Sequence, residues 1–166
     1  DIQAASKYSR AAPGQAVLKL YHYYRALTPL IAAQHKILPA SDALKQHRSS
    51  LKQLKKWARH CSQDFEHKIY LIEAEAARLK GDDETAGKCY AGAVTFAAKH
   101  HFVNDEALAA ERAASFYQTT DYKDLALHYL NLAISAYRGW GAEGKTALLQ
   151  KNELFEQIAV APGAKT

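Results

Sequence analysis

The string Gly139-Trp140-Gly141-Ala142-Glu143-Gly144-Lys145-Thr146 satisfies the GxxxxGK[ST] pattern of a phosphate-binding loop letter for letter. In such a loop backbone amides cradle phosphate oxygens, and Lys145 and Thr146 would serve the phosphates and a magnesium ion. The chemistry needs a buried β-strand running into the first glycine and a second strand whose terminal aspartate helps hold the metal. Here the residues before Gly139 carry helical spacing up to Arg138, so the match is expected to be a coincidence in a helix–helix turn.

The nearest thing to a metal set is His60, Cys61 and His67, with His100 and His101 as distant additions. Zinc needs about four converging ligands with paired short spacings, and neither CxxC nor HExxH occurs. These side chains therefore read as helix-end residues, and no metal or other cofactor is expected. Cys61 and Cys89 both fall within helical patterns and are expected to be free, buried thiols, which argues against a reactive Cys61. Glu75 and Glu111 stand at comparable places beside alanines. Paired carboxylates can do acid–base work, but these are expected to bond Arg78, Arg112 or a tyrosine hydroxyl between packed helices. No catalytic residue is assigned.

A cationic row remains: Lys45, Arg48, Lys52, Lys55, Lys56 and Arg59 recur at helical spacing, with Trp57 beside them. Such a row can track phosphates while an aromatic ring stacks on a base, although a solvated outer face is the simpler reading. Residues 1–70 hold twelve Lys/Arg against four Asp/Glu, and residues 71–166 hold ten against thirteen, so the halves stand at +8 and −3. That asymmetry makes a basic module for nucleic acid or another polyanion the alternative function.

The elements that must position these residues are helical throughout. A loose lead-in over residues 1–12 ends at Pro13-Gly14, and a single helical-repeat domain is expected over 13–160, with a tail at 161–166. Val17, Leu20, Tyr24, Leu27 and Ile31 mark the face of a first helix, widened by Tyr21 and Tyr23, and Pro29 should kink or break it near Thr28. The second helix enters at Pro39 with Ser41 or Asp42 as cap and turns Leu44, His47, Leu51, Leu54, Ala58 and Cys61 inward. The third, from about Phe65 to Lys80, is apolar on two sides and so lies between neighbours. Gly81-Asp82-Asp83 stops it and starts a fourth, near Glu84 to Lys99. A fifth follows a cap at Asn104 or Asp105, and Thr119-Thr120-Asp121 turns the chain into a sixth that stops at Gly139-Trp140-Gly141. A last helix takes Leu148, Leu149, Leu154 and Ile158.

About seven helices in antiparallel hairpins make an all-α chain of 166 residues, long enough for one real core. Hydrophobic residues at 48% and charged residues at 23% exclude disorder as the default. No apolar run is long enough to span a bilayer and no signal-peptide pattern opens the chain, so a cytoplasmic protein is expected. The absence of methionine, with Asp1 first, suggests a module of a longer polypeptide.

Two hairpins share one small/large spacing. Ala74, Gly81, Ala86, Tyr90 and Ala93 recur as Ala114, Asp121, Ala126, Leu130 and Ala133 at an offset of 40 residues. This is similar to tetratricopeptide repeats, with a longer period, and implies a right-handed α-solenoid. Gly87 and Gly92 depart from the pattern, because glycine weakens a helix by roughly 1 kcal/mol relative to alanine. The wider text includes Trp57-Ala58 with Cys61, Asp64 to Lys68, Asp105 to Glu111 within "NDEALAAE", and the closing "YRGWGA" at Tyr137 to Ala142. Over residues 17–150 this resembles the helical-repeat region after the ATPase module of large multidomain sensor kinases. The resemblance implies a noncatalytic regulatory scaffold that binds another protein or a neighbouring domain. The concave wall of a repeat would use the first helix of each hairpin, which nominates Tyr70, Arg78, Glu111 and Tyr117 as protein contacts.

Overall fold

The computed structural model describes residues 15–151. The expected lead-in and tail, and the continuation of the last helix through Leu154 and Ile158, lie outside them. Among the described residues there are seven α-helices and no strand: α1 Gln15–Gln34, α2 Ala40–Ala58, α3 Ser62–Lys80, α4 Asp83–Lys99, α5 Val103–Tyr117, α6 Lys123–Gly139 and α7 Glu143–Gln150. The chain divides into two compact units inside α4, between Phe96 and Ala97.

Helix ends are set by a recurring local device. The backbone turns left-handed at Lys36, Gly81, His101 and Gly141. The amide of the next residue then reaches back five positions, from Ile37 to Ala32, Asp82 to Ala77, Phe102 to Ala97 and Ala142 to Tyr137, at 2.9–3.1 Å. Each such bond occupies a carbonyl that the last turn would leave without an amide. Two of the four stops are non-glycine, so the device does not depend on a glycine. Starts are less uniform. Asp82 Oδ1 accepts from the Thr85 amide at 3.1 Å and caps α4, whereas α2 opens from Pro39 with no side-chain cap, contrary to the role expected of Ser41 or Asp42. Likewise Phe102, not Asn104 or Asp105, precedes α5, and Asp105 is buried in its first turn.

In the first unit α1 and α2 form an antiparallel hairpin, and α3 packs on both. The order of the α1–α3 contacts makes those two helices parallel: Lys19 meets Asp64 at 3.3 Å, Lys68 Nζ lies 5.1 Å from the Tyr23 ring centroid, and Gln34 donates to Glu75. This seam fixes the rotation of α1. Tyr23, Ala26, Leu27 and Leu30 are buried, whereas Val17, Leu20 and Tyr24 of the expected stripe are about half exposed. The helix also runs unbroken through Pro29, because buried Leu27 and Leu30 hold the turn on both sides of the missing donor. The inward face of α2 is Ala43, His47, Ser50 and Leu54, rotated about one residue from the expected row, and Leu44, Leu51 and Ala58 sit only half-buried at its margins. Cys61, expected inside, is exposed, because α2 has ended and the chain is turning into α3. On α4, Gly92 serves packing instead of weakening it: a Cβ there would stand 3.1 Å from the Tyr70 ring, which also meets Phe96 at 5.7 Å.

In the second unit α5 and α6 form an antiparallel hairpin on which α7 folds back against α6. Ala107, Ala110, Ala113, Ala126 and Ala133 are fully buried. Between α5 and α6, Thr119 and Thr120 hydroxyls donate to the Phe116 and Tyr117 carbonyls at 2.7 and 2.8 Å, closing the turn with side chains.

Two histidines in the first unit tie its stability to pH. His47 is 6% exposed, and burial, with Lys80 and Arg48 nearby, lowers its pKa. His22, 3.2 Å from Ser50 Oγ, is lowered by burial and then by Arg25. Unfolding restores values near 6.5, so below that pH the unfolded chain binds protons first. Stability is therefore complete above about 6.5 and declines as pH falls, until the folded rings also protonate. The urea midpoint should drop on acidification from above to below that value, and His47→Gln should shrink the drop. An equal drop in the variant would show that His47 contributes nothing to it.

Candidate functional site

Glu111 is the polar node of the second unit. It projects from α5 and accepts from the Tyr137 hydroxyl of α6 at 2.7 Å and from Lys145 Nζ of α7 at 2.7 Å. Lys145 Nζ also lies 5.8 Å from the Tyr137 ring centroid. One carboxylate thus ties three helices, with the tyrosine hydroxyl partner anticipated and with Lys145, which the sequence marked only for a phosphate loop. In the first unit Glu75 is fully buried on α3 and accepts from Gln34 of α1.

The GWGAEGKT string has no phosphate-loop geometry. Gly139 is the last residue of α6, Gly141 is the left-handed stop, and Gly144, Lys145 and Thr146 lie inside α7. Lys145 is bonded to Glu111, and Thr146 is buried with its hydroxyl 3.2 Å from the Ala142 carbonyl. The amides that would cradle phosphate instead make helical bonds: Lys145 and Thr146 both donate to Ala142 at 3.0 Å. His60 and Cys61 are exposed, whereas His67 is buried with Nε2 2.8 Å from Lys68 Nζ, so the three do not converge. Among the described residues no group of three His, Cys, Asp or Glu could hold a metal ion.

The four nominated protein contacts fall in two units. Tyr70 and Arg78 are half-buried on α3, with Tyr70 packed against Gly92. Glu111 is committed to the node above. Tyr117 is half-buried and stacks flat on Tyr129 of α6, 5.5 Å between centroids and 2° between planes. Burial raises the pKa of both phenols, each with a smaller contribution from a neighbouring tyrosine. Tyr122, 64% exposed, stands edge-on to Tyr117 at 6.4 Å and extends this aromatic group to the surface.

The cationic row lies where the spacing predicts. Lys45, Arg48, Lys52, Lys55, Lys56 and Arg59 are all exposed on one side of α2. Trp57 does not lie with them: its ring is half-buried, 5.3 Å from His22 and 5.8 Å from Phe65, and belongs to the junction of the first three helices. An open depression of about 660 Å³ runs along the row, and a second of about 360 Å³ lies between α2 and α3. Its lining includes Glu66, Ile69 and Glu73, which sequence reasoning missed because nothing in their spacing says they face α2. Lys68, 3% exposed, was likewise invisible as a buried amine. No protein-family model, curated protein or solved structure compared with this chain matches it. No described helix is long and apolar enough to cross a membrane.

Three substitutions test the structural roles. Glu111→Ala should cost about 1–2 kcal/mol in urea denaturation, a charge-assisted node discounted for partial exposure, and Tyr137→Phe about half of that. An unchanged midpoint would show that the node contributes nothing. Gly144→Ala adds a Cβ with nothing within 4 Å inside a helix. It should stabilise by about 0.5–1 kcal/mol. Loss of stability there would contradict the helical assignment of α7.

Proposed function

We propose that the chain is a noncatalytic helical-repeat module whose work is to hold another protein segment or a neighbouring domain of its own polypeptide. Its hairpins stack in the tetratricopeptide manner as a right-handed solenoid, and the setting is a larger signalling protein of the sensor-kinase kind that the sequence resembles. One observation carries the reading: the two carboxylates suited to acid–base work, and the cation and hydroxyl of the phosphate-loop string, are engaged in internal bonds. Glu75 fixes α3 to α1, Glu111 and Lys145 fix α5, α6 and α7, and Thr146 bonds its own helix. What is left to act is the exterior. The parallel run of α1 and α3 supports the repeat, since first helices of successive hairpins are parallel in a solenoid.

A second reading, binding of nucleic acid or another polyanion, draws on the exposed cations of α2. The inward placement of Trp57 removes the stacking platform that single-stranded nucleic acid would use.

Photoreactive residues placed at exposed Ser49 in one unit and exposed Tyr122 in the other should cross-link polypeptide, identified by mass spectrometry. Calorimetric titration with Mg-ATP should give no binding heat. Saturable heat with ATP, or adducts to nucleic acid alone, would overturn the proposal.

A further inference from the structure

The outer face of α2 combines strong charge with almost no internal compensation. Its only acid, Asp42, stands a turn before the row and lies 3.8 Å from Lys45. Lys55 pairs with Glu73 of α3 at 2.5 Å. Arg48, Lys52, Lys56 and Arg59 make no ion pair among the described residues. These four recur at every third or fourth position, so they form a straight ridge about 16 Å long at 1.5 Å per residue. Holding like charges side by side without acids opposes folding slightly, and an anionic partner would relieve that repulsion.

The surroundings choose between anionic partners. The depression along the ridge and the one between α2 and α3 share Lys55 and Arg59 in their lining, so the two adjoin. The second is lined by Ala58, Ile69 and Tyr70 together with Glu66 and Glu73. A polyphosphate laid across both would meet those two carboxylates, and the one aromatic ring in their lining, Tyr70, stands beside them. A peptide can confine its acids to the ridge. Its carboxylates match the cations there, an aliphatic side chain can rest on Ile69 and Tyr70, and the unpaired amides of its first helical turn can donate to Glu66.

Resting on the protein-binding reading above, we infer that α2, with the adjoining edge of α3, is the docking face, and that its occupant is an acidic amphipathic segment of a partner protein. Arg48, Lys52, Lys56 and Arg59 take carboxylates spaced at three and four residues. The apolar end of the segment lies against Ile69 and Tyr70.

The probe is a labelled synthetic helical peptide of about sixteen residues, with Glu at every third or fourth position and a Leu pair at one end. Its competitor is a mixed single-stranded oligodeoxynucleotide of about twenty nucleotides. By fluorescence anisotropy at about 0.15 M salt, the peptide should bind the full chain and outcompete the oligonucleotide. The exposed double variant Lys52→Glu/Lys56→Glu should weaken binding by about tenfold or more while its thermal melt is unchanged, and a Glu-to-Lys peptide should regain affinity for that variant. Ile69→Ala should weaken the peptide but not the oligonucleotide. The inference is overturned if the oligonucleotide binds tighter than the peptide, if the peptide does not bind, or if charge reversal leaves its affinity unchanged. If polypeptide adducts persist in the Lys52→Glu/Lys56→Glu chain, the docking face alone is lost. If no polypeptide cross-links to either chain, the broader reading goes with it.

Discussion

Alanine packing sets the terms for the rest of this structure. Ala26, Ala43, Ala74, Ala86 and Ala93 in the first unit, and Ala107, Ala110, Ala126 and Ala133 in the second, are fully buried. Small side chains let helices approach closely, but each removes little apolar area from water, so the stabilisation must come from a few large residues set between them. Leu54, Ile72 and Tyr90 fill that role in the first unit, and Leu130 and Phe116 in the second, each contributing about 1.5–3 kcal/mol. Close helices also make a buried polar group without a partner costly. The buried carboxylate of Glu75 is tolerated because Gln34 reaches it across the α1–α3 seam.

That constraint explains why residues with chemical potential become fasteners. A carboxylate between two close helices has a strong preference for a donor on the opposite helix, since charge-assisted bonds are worth more than neutral ones and an unmade bond is costly. Glu111 takes two such donors from two different helices. Lys145 would be the catalytic cation of a phosphate loop. Its ammonium instead closes the node, and the glycines around it serve to stop one helix and begin the next. The same letters therefore carry a different function once the preceding element is a helix.

Outside these packed seams the chain presents several exposed faces. They are unlike one another. The outer side of α2 is a cationic ridge beside a partly apolar trough, the outward part of α1 shows Val17, Leu20 and Tyr24, and the second unit shows Tyr122, Trp140 and Leu148. Of these, the ridge carries the least compensated charge among the described residues.

Much of this was legible in the linear text. Helical spacing, the left-handed stop at Gly81, the Thr119-Thr120 turn and the cationic row of α2 are local properties, fixed by residues within a turn or two of one another. The all-α class follows from them. Tertiary contact decided what local pattern leaves open. It set the rotation of α1, where Tyr23 and not Tyr24 was buried because Lys68 of α3 lies over its ring. It carried α1 through Pro29, turned Trp57 inward, and exposed Cys61 at a helix start. It also joined Glu111 to Lys145, residues 34 positions apart that no periodicity connects. The physical reason is range: a helix is determined by bonds four residues long, whereas the face it buries and the partner its charged groups meet are chosen by whichever other helix comes to lie beside it.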